Sequence, residues 1–190
     1  MIIPIYKGKN SDEHEFVNYR PISLLPVISK IIEKVVHKQL YEYMSCNELF
    51  NNNQYGFRAK HSTEYAAMDF VDRIMNDIDK GQTPFAIFMD LSKAFDTLDH
   101  QILLQKLHYY GIHDIQLKWF ESYLTQRTQY VVVNDVESTH QEIKTGVPQG
   151  SVLGPLLFLI YITDLSNASK SLHATLFADD TSLNGTMRSY

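Results

Sequence analysis

The chain has 190 residues, of which 44% are hydrophobic, 12% aromatic and 21% charged, a composition that excludes disorder as the dominant state and suits one ordinary domain or two small lobes. One cysteine, Cys46, excludes an internal disulfide framework and a Cys-rich zinc site, and it predicts an intracellular protein held by packing alone. The net charge of −5 is uneven: residues 1–61 carry eight Lys/Arg against six Asp/Glu, while residues 62–190 carry nine against sixteen, so the N-terminal part is the one suited to face phosphates.

In chain order, residues 1–26 read as short extended segments around a polar loop, punctuated by Pro4, Gly8, Pro21 and Pro26. From Val27, the apolar positions Ile28, Ile31, Ile32, Val35, Val36, Leu40 and Tyr43 recur at threes and fours. Lys30, Glu33, Lys34 and Lys38 fill the other face, which predicts an amphipathic helix. Asn51-Asn52-Asn53 marks a loop. A second helix is predicted from about Thr63, with Ala67, Met68, Val71, Ile74, Met75 and Ile78 on one side and Lys80-Gly81 at its end.

Phe85-Ala86-Ile87-Phe88-Met89 is an unbroken apolar run of strand length. It predicts a strand covered on both faces that delivers Asp90 at its end. Helices are predicted from about Asp99 to Tyr110, stopped by Gly111, and from Asp114 to Leu124. Gln129 to Val133 reads as β structure with Asn134-Asp135 as a hairpin turn. A glycine-proline cluster over residues 145–151 precedes an apolar helix from Leu156 to Leu165, with Pro155 at its first position. Ala174 to Ala178 is a last apolar strand, running straight into Asp179-Asp180. The apolar run from Leu156 to Ile162 is far short of the roughly 18–20 residues that span a bilayer, so no membrane helix is expected, and no secretory leader is legible at Met1 to Lys7.

Two apolar strands thus end in carboxylates, Asp90 after one and Asp179-Asp180 after the other. Carboxylates so placed repel one another and resist desolvation unless a cation lies between them. Hard oxygen ligands without Cys or clustered His favour Mg²⁺ or Mn²⁺ over Zn²⁺, and two such ions suit phosphoryl or nucleotidyl transfer. A lone Asp in this position is usually a turn residue or a helix N-cap, and Asp96, Asp99 and Asp114 are read that way. Two other chemistries fail on residues. A haloacid-dehalogenase-like phosphatase needs a second Asp where Ser92 stands, and a Gly-x-Ser-x-Gly hydrolase around Ser151 fails at Gln149 and Leu153.

Phe88-Met89-Asp90-Leu91-Ser92-Lys93-Ala94-Phe95-Asp96, Gly146-Val147-Pro148-Gln149-Gly150-Ser151-Val152-Leu153-Gly154-Pro155 and Phe177-Ala178-Asp179-Asp180 resemble the palm motifs A, B and C of reverse transcriptases. Asn18-Tyr19-Arg20-Pro21-Ile22-Ser23-Leu24 and Gln54-Tyr55-Gly56-Phe57-Arg58 resemble their fingers motifs, and the wording is similar to jockey- and CR1-like non-LTR retrotransposon enzymes.

The resemblance implies an α/β (α+β) right-hand polymerase fold, with fingers over residues 1–84 and palm over 85–190, and an antiparallel palm sheet backed by helices. It implies RNA-directed DNA polymerase activity on an RNA template, a DNA primer and deoxynucleoside triphosphates, with Mg²⁺ or Mn²⁺ on Asp90, Asp179 and Asp180 and Asp180 the more indirect ligand. Phe95 would exclude a 2′-hydroxyl, Gln149 and Gly150 would line the nucleotide pocket, and Arg20, with Lys7 or Lys9, would hold the triphosphate. Arg58 would meet template phosphate or form a structural ion pair. The expected late palm motifs and thumb are not legible in these 190 residues. The rival expectation is therefore an inactive, truncated relic of such an element.

Overall fold

The structure is a computed structural model describing residues 1–8 and 12–187. Its strands are β1 (Ile2–Tyr6), β2 (Tyr19–Ser23), β3 (Thr83–Asp90), β4 (Thr128–Gln129), β5 (Val132–Val133), β6 (Val136–Glu137), β7 (Gln141–Glu142), β8 (His173–Phe177) and β9 (Asp180–Met187). Its helices are α1 (Val27–Cys46), α2 (Thr63–Asp79), α3 (His100–Tyr109), α4 (Asp114–Leu124) and α5 (Gly154–Ile162). The chain forms two compact units, each discontinuous in sequence. One holds Met1–Glu42 and Phe95–Leu157; the other holds Tyr43–Ala94 and Phe158–Tyr190.

In the first unit, β1 and β2 form an antiparallel ribbon in which Ile2 faces Ser23 and Ile5 faces Arg20. Ile2 also donates its amide to Tyr130 O, at 2.8 Å. The β5–β6 hairpin turns through Asn134 and Asp135, at φ of 50° and 61°. Both values are left-handed, as a two-residue type I′ turn requires. The predicted run from Gln129 to Val133 is broken into β4 and β5, which pair with β7 and β6 respectively. Asp99 caps α3, its carboxylate accepting from the amides of Gln101 and Ile102 at 2.8 and 3.0 Å. Leu98, Leu103, Leu107, Phe120, Leu124 and Leu153 are buried in this unit.

The second unit is built on an antiparallel sheet in the order β3-β9-β8, against which α2 packs. Ser62 caps α2, accepting from the Tyr65 amide, and Lys80 ends it. Met44, Phe158, Leu159, Ile160 and Leu176 are its most buried apolar side chains.

Four expectations are corrected. β3 is an edge strand rather than one covered on both faces, and Phe88 is 72% exposed beside Ile87 and Met89. The outer face of α2 carries exposed Met68, Val71, Met75 and Ile78, and Ala66 is its buried residue. The first half of α1 points its apolar stripe outward, with Ile28, Ile31, Ile32 and Val35 exposed, and buries Glu33 instead. The apolar helix α5 ends at Ile162, and a short 3₁₀ turn follows at Leu165–Ala168.

Candidate active site

The sheet of the second unit brings two carboxylates face to face. β8 is apolar and largely buried, and a two-residue turn of Ala178 and Asp179 returns the chain so that Asp180 pairs with Phe177. On the other side of β9, Asp180 lies directly opposite Asp90, the last residue of β3. Opposed residues of an antiparallel pair share a face, with Cβ atoms roughly 4.5–5.5 Å apart. Asp90 and Asp180 are exposed and Asp179 is half-buried. Among the described residues no Lys or Arg forms an ion pair with any of the three.

An opposed pair of like charges weakens a sheet, and a divalent cation between them would offset that cost. The donors fit Mg²⁺, which is commonly bound by one or two carboxylates together with waters and substrate phosphates. The described residues contain no cluster of three or more His, Cys, Asp or Glu arranged to hold a metal. The pair that register brings together is therefore Asp90 and Asp180, with Asp179 in the turn beside it.

The first unit ties the end of motif A to motif B. Gly146 donates to Leu98 O at 2.7 Å, Val147 to Phe95 O at 2.9 Å, and the Thr145 hydroxyl to Asp96 O at 3.0 Å. Buried His100 donates from Nε2 to Gly146 O at 2.7 Å, since a carbonyl can only accept. A Cβ on Gly146 would stand 2.7 Å from Asp96 O and 2.8 Å from Phe95 O, so the two segments pass in backbone contact. The Gln149 side-chain amide donates from Nε2 to both carboxylate oxygens of Asp96, at 3.0 and 3.1 Å, and the Gln149 backbone carbonyl accepts from Ser23 N at 2.8 Å. Gly150 lies against the Ser23 carbonyl.

Glu33 holds the far end of this loop, Oε2 accepting from Val152 N at 2.7 Å and Leu153 N at 3.3 Å. Ser151 Oγ accepts from Gly154 N, the first residue of α5, at 3.0 Å. Burial, reinforced by the Glu33 charge, pushes the Tyr123 phenol up to about 12.

Phe95 is half-buried beside this loop. Arg20 is exposed on β2 with no acidic partner among the described residues, whereas the Lys7 ammonium donates to Val17 O at 2.7 Å. Lys9 lies outside the described residues. Arg58 donates to Asn51 O at 2.6 Å and lies over the Phe50 ring. The contacts of Asp96, Glu33 and His100 escaped sequence reasoning. Asp96 reads as a turn residue, Glu33 as part of a solvated face and His100 as one of eight scattered histidines; their partners are 53, 119 and 46 positions away.

Behind the carboxylate hairpin, α2 is tied to β8 through Asp69. Its oxygens accept from Arg73 Nε at 3.1 and 3.2 Å and from the Thr175 hydroxyl at 3.4 Å, and His173 Nε2 is 3.5 Å away. Burial alone would raise the Asp69 carboxyl, but the Arg73 hydrogen bond and charge, with His173, bring it below its ordinary value. His173 is held below 6.5, first by burial and then by Arg73, against the pull of Asp69. Burial and Asp69 together raise Tyr55 in the same network.

A histidine whose folded value is depressed takes its proton more readily when unfolded. Its contribution to stability is thus present above 6.5 and is lost as pH falls toward the folded value. Melting temperatures between pH 7.5 and 5 are expected to fall less steeply in His173→Gln than in the unsubstituted chain; equal slopes would contradict the assignment.

Against this geometry, the family profile described as "Reverse transcriptase (RNA-dependent DNA polymerase)" matches residues 7–189. The chain belongs to the reverse transcriptase family. It is 34% identical over 189 residues to the probable RNA-directed DNA polymerase from transposon X-element of Drosophila melanogaster, covering 94% of this chain and 20% of the relative. Against the RNA-directed DNA polymerase from the mobile element jockey of the same fly it is 30% identical over 190 residues, covering 96% and 20%. The chain therefore spans about a fifth of the length of the curated relatives it matches. In fold it is similar to an apo telomerase from Candida tropicalis truncated from its C-terminal domain, with a TM-score of 0.63 at 14% identity over 90% of this chain and 42% of that one.

Proposed function

We propose that the chain carries the nucleotidyl-transfer centre of an RNA-directed DNA polymerase of a non-LTR retrotransposon. Residues 1–84 would serve as fingers and 85–190 as palm. A primer 3′-hydroxyl attacks the α-phosphate of a deoxynucleoside triphosphate on an RNA template, and pyrophosphate leaves. The observation that carries this reading is the directly opposed pair of Asp90 and Asp180 at the end of β3 and the start of β9.

Asp90 and Asp180, with Asp179, would hold the divalent cation, Mg²⁺ or Mn²⁺. When bound, the cation supplies positive charge against the oxygens of the phosphoryl group in transfer. Arg20 offers its planar fork to triphosphate oxygens, and Lys7 and Lys9 add charge to the same segment. Gln149 and Gly150 shape the nucleotide pocket. Asp96 holds the Gln149 amide in one orientation, so the face of that amide turned to the nucleotide is set before binding. The test is primer extension on poly(rA)/oligo(dT) by the chain carried in a polypeptide of its relatives' length; no Mg²⁺-dependent extension from such a polypeptide would refute the proposal.

Phe95 sits where motif A meets the motif B loop, its carbonyl bonded to Val147 N. Phe95→Val is expected to raise kcat/KM for ribonucleotides relative to deoxyribonucleotides, because a smaller side chain leaves room for a 2′-hydroxyl. An unchanged ratio would make Phe95 a packing residue.

A further inference from the structure

The turn that presents Asp179 and Asp180 is unusual in its first residue. Ala178 has a φ of +56°, a left-handed conformation that a side chain bearing Cβ adopts only when its surroundings hold it there. Ala178 is 6% exposed, and what surrounds it is the loop carrying Gln54.

That loop is threaded along β8: Asn53 O accepts from Leu176 N and Leu176 O from Tyr55 N, each at 2.8 Å. Gln54 between them is 3% exposed, and its amide closes on the turn. Oε1 accepts from Ala178 N at 3.1 Å and from Gly56 N at 2.8 Å, while Nε2 lies 3.5 Å from Ala178 O. Gly56 permits the approach, since a Cβ there would stand 2.2 Å from Ala178 N. The loop itself is braced by Arg58, which donates to Asn51 O, and by Asn51, whose Oδ1 accepts from Asn53 N at 2.8 Å.

We infer that Gln54 is a positioning residue for the metal-binding carboxylates, clamping both backbone groups of Ala178 and thereby setting where Asp179 and Asp180 stand relative to Asp90. This rests on the reading of those carboxylates as metal ligands. Gln54 touches neither metal nor substrate. It supplies an acceptor to a buried amide that β8 and β9 leave unpaired at the turn, and Gln at position 54 with Gly at 56 is the pair of residue types that the approach needs. Groups that orient a metal's ligands in this way typically change metal affinity by roughly 10–100-fold when removed.

The test uses the full chain and two readouts, the hydrogen exchange of the Ala178 amide and the dissociation constant for Mn²⁺. Gln54→Met keeps the length of the side chain without its acceptor. It is expected to speed exchange at Ala178 by about tenfold or more and to weaken Mn²⁺ binding by roughly 10–100-fold. Gln54→Glu keeps an acceptor for both amides and should keep Ala178 protected.

Faster exchange with Mn²⁺ affinity within twofold would reduce Gln54 to a structural residue and overturn the positioning role. So would an unchanged Ala178 in Gln54→Met. If that variant does not fold, the unsubstituted chain decides: an Ala178 amide as slow as that of Leu176 supports the clamp, and one as fast as an exposed turn amide overturns it. Absence of saturable Mn²⁺ binding by the unsubstituted chain would instead overturn the metal reading, and the clamp would then stand or fall on Ala178 exchange.

Discussion

Asp90→Asn is expected to abolish primer extension while making the metal-free chain slightly more stable. The two effects have one cause. Asp90 and Asp180 are directly opposed on β3 and β9 with no cationic partner among the described residues. Neutralising one removes the like-charge repulsion of a directly opposed pair and, on the proposed reading, also removes an anionic ligand. Loss of activity should exceed the roughly 10–100-fold that removal of a merely supporting group costs.

Asp180→Asn should reproduce both effects. Asp179→Asn should lose extension without the gain in stability, because Asp179 lies in the turn and faces no residue of β3. Primer extension in the full-length polypeptide and melting of the metal-free chain at low ionic strength, where screening is weakest, measure the two sides. Near-normal turnover in Asp90→Asn would refute the metal assignment, and a drop in its melting temperature would refute the opposed, uncompensated pair.

What the sequence made legible were features whose signal is local. Asp99 ahead of an apolar periodic stretch is an N-cap because its partners, the Gln101 and Ile102 amides, lie within three residues. Asn134-Asp135 forms the predicted turn for the same reason, since its conformation is decided by those two residues. The carboxylates at the ends of two apolar strands were legible as a motif, and register then chose Asp180 as the residue facing Asp90.

Features decided by distant chain were not legible. Periodicity shows that α1 is a helix but not which side is covered. Glu33 turns inward because the Val152 and Leu153 amides, 119 and 120 positions later, need an acceptor. β3 reads as a doubly covered strand because its residues are apolar, yet whether its two faces are covered is decided by what packs on the sheet, which its own composition does not encode. Asp96 illustrates the same point within the candidate site. Its role is to hold Gln149, and nothing in residues 90–99 announces a partner 53 positions away.

Gly146→Ala is expected to be among the most damaging single substitutions in the first unit. Two costs add. Gly146 has a φ of +84°, and a left-handed residue with a Cβ costs about 1–2 kcal/mol. The new Cβ would also stand 2.7 Å from Asp96 O, 2.8 Å from Asp96 Cα and 2.8 Å from Phe95 O. These are backbone atoms that cannot rotate away, so the segments must part, and forced overpacking of this kind costs about 1–3 kcal/mol. The sum of about 2–5 kcal/mol corresponds to a melting temperature lower by roughly 4–20 °C in a chain of this size.

Parting the segments would also lengthen the bonds from Gly146 N to Leu98 O and from Val147 N to Phe95 O, loosening Phe95 and the Asp96–Gln149 contact together. If the proposed activity holds, the ratio of ribonucleotide to deoxyribonucleotide use in primer extension should therefore shift along with stability. Gly81 provides the control, because its φ is +71° but a Cβ there would meet nothing within 4 Å, so Gly81→Ala carries the conformational cost alone. If Gly146→Ala lowers the melting temperature no more than Gly81→Ala does, the backbone contact between the end of motif A and the motif B loop is not the close approach described.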